Sequence, residues 1–454
     1  MTRTTVIMAV MGLASIAGAY QMRPDPVPTA QYEDTGQPLF AEFKDPNAAT
    51  DLKVVAWDDE SATPIEFSVM QKDGGWVIPS HNDYPADATD RMAKAATSFL
   101  DVKKDTYLGD RTADHAKFGV LDPTAEEGDG SGKGQRITIK DSSGTELVDV
   151  IVGKAIPEKQ GWYYVRKPEE KRVYGTKLEL DISTNFADWI EKDLLHVERD
   201  EFVEMVYNPY TVDESTGQVV GADQVIAAVS VAPDDEHNRD WKLAEGIEAP
   251  EGKELDSTKV RAILTSIASM KIAGVRPRPP ARSMLEARMQ LQQKGFFVAA
   301  DPANPQLFGN EGQVTAITRD GVVYTIFFGE VTYETGIALS AGKADDTAAE
   351  QEPPPEGEEG ADTNRQASRY IFVNVQYDPA ADRSGGSAED GATPPGEDEG
   401  PKGPERAEQL MERFNSWFYV ISDTSFKGIR KDPSELFKAG TAAPAPAPEL
   451  ELPG

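Results

Sequence analysis

The chain contains no cysteine and only four histidines in 454 residues. The first absence excludes disulfides, thiolate nucleophiles and zinc sites of the cysteine type, and it leaves the redox compartment open. The second leaves little imidazole for metal binding or proton transfer. No HExxH occurs, and His81, His115 and His196 have no Ser or Asp partner at a recognisable spacing, so they are expected to be isolated surface or capping residues. Cations are also scarce: 46 Lys and Arg stand against 78 Asp and Glu, a formal charge of −32. Phosphate backbones and anionic lipid surfaces both demand clustered Lys and Arg, so the chain is expected to be repelled by both, and nucleic acid is not expected as a partner.

The apolar run that does stand out is N-terminal. Arg3 precedes an uncharged stretch from Thr4 to Tyr20, and Arg23, Pro24 and Pro26 follow, where a helix cannot easily continue. Residues 1–22 therefore read as a signal peptide or a transmembrane anchor. The run is short for a span of roughly 20 apolar residues, and Ala17, Gly18 and Ala19 offer a cleavage site. Tyr20 and Arg23 suit an interfacial anchor, with an aromatic ring at headgroup level and a cation beyond it. Both readings place the rest of the chain outside the cytoplasm. Residues 23–51, with several Pro and acidic residues, read as a linker.

The folded remainder repeats an order of signals. In residues 52–200, Leu52 to Trp57 and Ile65 to Gln71 alternate as strands, and Lys72-Asp73-Gly74-Gly75 turns the chain into Trp76-Val77-Ile78. Asp87 is an expected N-cap for a helix bearing Met92, Ala95, Ala96, Phe99 and Leu100. Ile137 to Lys140 and Leu147 to Val152 flank a turn at Gly144, Trp162 to Val165 follows as a strand, and 185–195 closes the module as a helix. In residues 201–438, Val225 to Val231 pairs with Trp241 to Leu243, and Asp256 or Ser257 caps a helix bearing Val260, Ile263, Leu264, Ile267 and Met270. Residues 273–281 interrupt, Met284, Leu285, Met289 and Leu291 suggest a second helix, and Val314 to Thr318 and Val322 to Phe328 surround the turn Asp320-Gly321. Tyr370 to Val375 is the next strand.

The repeat can be tested by its offsets. Trp76 to Trp241 is 165 positions, Asp87 to Asp256 is 169 and Gly144 to Gly321 is 177, whereas Trp189 to Trp417 is 228. Residues 345–363 and 378–404 are acidic and nearly free of apolar side chains, so they are expected to be disordered inserts. Subtracting their 19 and 27 residues brings 228 to 182. Residues 439–454, mostly Ala and Pro, read as a disordered tail. The expected fold is α+β: two tandem similar modules of antiparallel sheet with packed helices.

No catalytic, cofactor-binding or metal-binding residue is nominated. Gly128, Gly130, Gly132 and Gly134 fit neither phosphate-loop spacing and read as a flexible acidic loop. Asp234, Asp235, Glu236, His237 and Asp240 lack the order of an EF-hand and read as a solvated hairpin tip. Trp162, Tyr163 and Tyr164, like Phe414, Trp417, Phe418 and Tyr419, are spaced for a core more than for a ligand groove. Arg276, Arg278 and Arg282 form the only basic patch, either a docking contact or a solvated connector.

Gly75-Trp76-Val77-Ile78-Pro79, Phe99-Leu100, Tyr107-Leu108-Gly109, Phe118-Gly119-Val120, 137–141, Val150-Ile151-Val152-Gly153, Trp162-Tyr163-Tyr164-Val165 and Trp189-Ile190 resemble the bacterial DUF 4340 domain family. The resemblance is closest over 65–195 and looser in the second module. It implies a membrane-anchored, periplasmic envelope protein similar to auxiliary parts of gliding-type ABC transport systems. The expectation is a non-enzymatic scaffold or auxiliary subunit without cofactors, partnered by the membrane and by an ABC permease or other envelope proteins. A peptide- or glycan-binding module is the alternative.

Overall fold

The computed structural model describes residues 34–440 apart from 60–61, 126–129, 181, 192, 214–215, 217, 222–223, 232–239, 279, 300–305, 335, 343–366 and 385–400. The N-terminal segment 1–22, the insert 345–363, most of 378–404 and the tail beyond 440 lie outside the described residues. The chain divides into two compact units, one of residues 1–66 and 92–182, the other of 67–91 and 183–454.

Alternating apolar positions and tight turns give the first half β1 (Asp51–Asp58), β2 (Thr63–Lys72), β3 (Gly75–Ile78) and β4 (Tyr84–Ala86), then helix α1 (Thr89–Thr97), β5 (Thr106–Gly109) and the short α2 (His115–Phe118). β6 (Gln135–Lys140), β7 (Glu146–Ala155), β8 (Trp162–Arg166) and β9 (Val173–Lys177) complete it. The second half has β10 (Phe202–Asn208), the hairpin β11 (Thr211–Asp213) and β12 (Gln218–Val220), β13 (Ile226–Ser230), β14 (Trp241–Leu243) and β15 (Lys253–Leu255). Then come α3 (Ser257–Ala268), β16 (Ile272–Pro277), α4 (Met284–Gln292), β17 (Phe296–Val298), β18 (Leu307–Gly309), β19 (Gln313–Thr318) and β20 (Asp320–Thr332). α5 (Gly336–Ala341), β21 (Ser368–Asp382), α6 (Gly403–Asn415), β22 (Trp417–Ser422), α7 (Asp423–Ile429) and β23 (Phe437–Ala439) follow. The protein is α+β with mostly antiparallel sheet.

Local chemistry explains the best-read elements. At the β6–β7 turn, Asp141 Oδ1 accepts from the N–H groups of Ser143 and Thr145, each at 2.9 Å, and Gly144 takes φ +84°. Asp256 Oδ1 accepts from Thr258 N–H at 2.9 Å and caps α3, whose Val260, Ile263, Leu264 and Ile267 are buried at helical spacing.

Followed pair by pair, strand order in the first half is β4-β3-β2-β1-β6-β7-β8-β9-β5, and in the second β14-β13-β10-β19-β20-β21-β22-β16. Matching β1 with β10, β2 with β13, β3 with β14, β5 with β16 and β6–β9 with β19–β22 makes the two orders the same over eight strands. Each has a helix, α1 or α3, after the hairpin. Trp76 and Trp241 fall on the matched strands β3 and β14, and Gly144 and Gly321 at matched turns.

Other expectations are corrected. Trp417 opens β22, the counterpart of β9, whereas Trp189 follows a single 3-10 turn, Phe186–Asp188, so this fourth pair is not equivalent and 185–195 is not a helix. Helix α1 starts at Thr89, and the Asp87 N–H donates to Trp189 O at 2.8 Å. The stretch read as an interruption holds β16, and the second acidic segment is shorter than 378–404, because β21 runs to Asp382 and α6 starts at Gly403. Within 23–51, Leu39, Phe40 and Phe43 are buried, and Asp34 accepts hydrogen bonds from Tyr174, Lys104 and Arg172 at 2.6, 3.2 and 3.1 Å.

Residues 67–91 are seated in the second unit by aromatic packing. Trp189, fully buried, lies 5.7 Å from Phe67, donates Nε1–H to Ser183 O at 2.8 Å and carries the Arg91 guanidinium over its ring. His81 stacks on Phe186 at 4.4 Å, and Tyr84 meets Trp417 edge-on at 5.0 Å. Trp189→Ala is expected to cost about 3–5 kcal/mol. Urea unfolding gives that loss, and amide hydrogen exchange should rise first within 67–91.

Candidate functional site

One cavity of about 660 Å³ lies beside Lys94, Asp101 and Lys177 in the first unit; in the second unit, charged groups with open space beside them gather along α6. Its first residue, Gly403, sits at φ +57° and donates its N–H to Asp320 Oδ2 at 2.9 Å, so the helix N-terminus faces a carboxylate. One turn on, Arg406 reaches Glu201 Oε2 at 2.5 Å and Asp320 Oδ2 at 3.4 Å, and also donates to His196 O. Two further turns on, Arg413 donates to His196 Nε2. His196 has φ +50°, in the left-handed region that a residue with a Cβ adopts only when its surroundings impose it. Those surroundings include Asp193 Oδ1, which accepts its N–H at 2.8 Å.

Three adjoining cavities follow. One of about 830 Å³ is lined by His196, Glu198, Lys402, Arg406, Gln409 and Arg413. A second, about 300 Å³, shares Glu201 and Arg406 with it and adds Arg319 and Asp320. The third, about 550 Å³, shares His196 and Arg413 and adds Tyr84, Asp87 and Trp417.

Burial pushes the Asp320 carboxyl up, but the Thr318 hydroxyl at 2.5 Å, the Gly403 N–H and the Arg406 charge together hold it below its ordinary value. Burial opposes the charge on Arg406 too, and the Glu201 carboxylate more than restores it. Burial and then the Arg413 cation lower His196, which favours a neutral imidazole. Arg406 is thus satisfied by two carboxylates. Among the described residues Arg413 has no ion pair within 4 Å, and the cavity it shares with His196 is also lined by Asp87, Glu191 and Glu412. Trp417 beside it is half-buried, and Tyr84 is buried against it.

Sequence spacing could not find this groove. Its members come from 84–87, 191–201, 319–320 and 401–417, brought together by the return of β20 and by α6. The residues that spacing did single out lie elsewhere. His81 and His115 are buried, not surface groups: His81 contacts Ser80 Oγ and Ser340 Oγ at 3.0 Å each, and His115 donates Nε2–H to Lys171 O at 2.9 Å. Gly128 lies outside the described residues, but Gly132 and Gly134 belong to a packed loop. A Cβ on Gly132 would meet the Ala116 backbone at 2.5 Å, and one on Gly134 would meet Gly119 O at 2.6 Å.

Asp234, Asp235, Glu236 and His237 lie outside the described residues, and Asp240 stands 3.4 Å from Arg261. No group of three or more metal-ligating side chains is assembled among the described residues. Arg276 is buried, donating to Leu339 O, Ala338 O and Glu334 at 2.6–2.9 Å, while Arg278 covers the Phe372 ring and Arg282 is exposed. Phe414, Phe418 and Tyr419 are core residues, and Trp162, Tyr163 and Tyr164 are half-buried along β8. Among the described residues no helix is long and apolar enough to cross a membrane.

The model of a family described as Domain of unknown function (DUF4340) matches residues 76–293. That stretch runs from β3 to just past α4. No curated protein and no solved structure matches the chain.

Replacing Asp320 with Asn should cost about 2–3 kcal/mol at pH 7, because hydrogen bonds to a charged group are lost beside a half-buried arginine. The folded carboxyl titrates below 3.8, so its contribution is complete above the ordinary carboxylate range and disappears as pH falls through the folded value. Unfolding free energies of the two proteins should therefore differ at pH 7 and converge below about pH 4.

Proposed function

Residues 76–293 belong to the DUF4340 family, and from that premise we propose that the protein is a non-enzymatic envelope scaffold, an auxiliary subunit of an ABC-type transport system. The N-terminal segment holds it outside the cytoplasm, as anchor or as signal. The observation that carries this reading is the strand order repeated over eight positions in the two sheets. In this reading one sheet-and-helix module was duplicated, and the product is a platform that presents two related surfaces to partner subunits.

Internal use of the polar groups supports the same view. His81, His115, Arg276 and Arg406 are spent on backbone carbonyls, serines and carboxylates within the fold. Such satisfied polar networks fix a geometry rather than move protons. The second copy is the more decorated one: α4, β17, β18, α5 and α6 all lie in connections between its matched strands. Connections are where recognition is built on a rigid sheet.

A second reading, a peptide- or glycan-binding module, is favoured by the groove beside α6, where Arg413, His196 and Trp417 line one cavity. Titration calorimetry with peptides and oligosaccharides addresses it, with Arg413→Ala as the control.

Affinity purification of the tagged chain from detergent-solubilised membranes tests the main proposal. Permease or ATPase subunits should be recovered stoichiometrically and survive cross-linking. Recovery of the chain alone would sink the scaffold reading.

A further inference from the structure

Helix α4 is turned the wrong way round for a helix on a soluble body. At about 100° per residue, Met284, Arg288, Gln292, Leu285 and Met289 share one arc, while Glu286, Gln290, Ala287 and Leu291 share the other. The first arc faces out: Met284 is 72 % exposed, Leu285 69 % and Met289 54 %. Leu291, on the second arc, packs into the cluster of Phe296, Phe327, Phe372 and Phe418. The helix thus keeps its acid on the inner side, where Glu286 Oε2 accepts the Arg282 N–H at 2.8 Å, and shows its large apolar side chains to solvent. Three of the chain's seven exposed large apolar side chains among the described residues lie on these two turns, so the arrangement is a patch rather than scatter.

Charge around the patch reverses that of the chain. Residues 278–294 hold Arg278, Arg282, Arg288 and Lys294 against the single acid Glu286, within a protein of net charge −32. Arg282 and Arg288 are exposed, Arg288 within the outward arc between Met284 and Leu285 and Arg282 just before the helix begins. Distant acids are screened beyond about 8 Å at physiological salt, so the local sign decides what the patch attracts. Area narrows the choice further. Nine residues make a helix about 14 Å long, and one face of it falls far short of the roughly 800 Å² per partner of a stable protein interface. What the face offers a lipid surface is short-range: exposed methionine and leucine side chains can enter the acyl boundary while Arg288 among them and Arg282 beside them extend their guanidinium groups to phosphate.

We infer that the outward face of α4 docks on an anionic lipid surface, with Met284, Leu285 and Met289 in the headgroup region and Arg282 and Arg288 on lipid phosphates. The contact is weak alone and acts as a second membrane signal beside a first. It rests on the envelope reading only in requiring a membrane within reach. The test supplies that membrane without any transporter subunit, so this inference and the scaffold proposal can fail separately.

The absence of cysteine makes the test clean, because one introduced thiol is the only labelling site. Full-length Met289→Cys, carrying a polarity-sensitive dye, is held on phosphatidylglycerol–phosphatidylcholine vesicles through a C-terminal histidine tag and nickel-chelating lipid. Lys259→Cys, at an exposed polar position on α3, serves as control. The dye at 289 should shift to the blue and be quenched by lipid-borne nitroxide, and the dye at 259 should not.

Arg282→Glu with Arg288→Glu should lower the docked-to-free ratio at least about 25-fold, since each cation near an anionic leaflet contributes about five-fold. Pure phosphatidylcholine should weaken docking in the wild type and should not weaken it in the double variant. Absence of lipid quenching at 289 on anionic vesicles overturns the inference. So does a blue shift that grows with protein concentration without vesicles, which would mean that a second copy covers the face. Circular dichroism and the melting temperature of each variant establish that it is folded.

Discussion

Burial of Trp189 is the constraint on which the second unit depends. Its ring, indole N–H and carbonyl engage Phe67, Ser183 and the Asp87 N–H, so one residue closes the packing of a segment more than a hundred positions upstream. A buried tryptophan removes a large apolar area from water, and its N–H must find an acceptor in the same place. That double requirement fixes both the depth and the rotation of the segment 67–91. The stack of His81 on Phe186 and the edge contact of Tyr84 with Trp417 then follow as neighbours, and Ser340 Oγ meets the far nitrogen of His81. The groove beside α6 lies in the same neighbourhood, since Tyr84 and Trp417 line one end of it.

Much of the sheet framework was legible because its signals are local. The β6–β7 and β19–β20 turns are set by Asp, Ser or Thr side chains and a left-handed glycine within five residues. Helix α3 carries its cap and its apolar stripe in one continuous segment. What escaped was non-local. Strand β16 contains Gly274 and Pro277, residues that in sequence mark an interruption; it is an edge strand, where a missing N–H does no harm, and α5 covers Gly274 so closely that a Cβ would lie 2.0 Å from Leu339 O. The pairing of Trp189 with Trp417 failed for a similar reason. Two large aromatics at similar distances along a repeat served different tasks, one locking an upstream segment and the other opening a strand.

The groove illustrates the limit of spacing as evidence. Glu201, Asp320 and Arg406 form one ion cluster although 86 and 205 residues separate the arginine from its two carboxylates. No motif encodes such a cluster; only the path of β20 back beside β10's neighbours and the start of α6 at Asp320 create it. In the other direction, spacing overstated function. Gly132, Gly134, His81, His115 and Arg276 are close-packed or hydrogen-bonded inside, because a chain with few cations and imidazoles uses several of them for structure.

If one module became two, selection acted on the copies unequally. Between β5 and β6 the first half has the short helix α2 and a packed loop, whereas between β16 and β19 the second half has α4, β17 and β18. Between β8 and β9 the chain needs six residues, whereas α6 and the segment before it lie between β21 and β22. The sheet order stays the same because each strand's neighbours are fixed by long hydrogen-bonded ladders, and a change in one strand would disturb two others. A connection is under no such constraint. It can turn a helix outward, as α4 does, at the cost only of exposed Met and Leu, and such an exposure is tolerated when something other than water meets it. The two sheets of like strand order are therefore the constrained part of the chain, and the unequal connections are where its two halves differ.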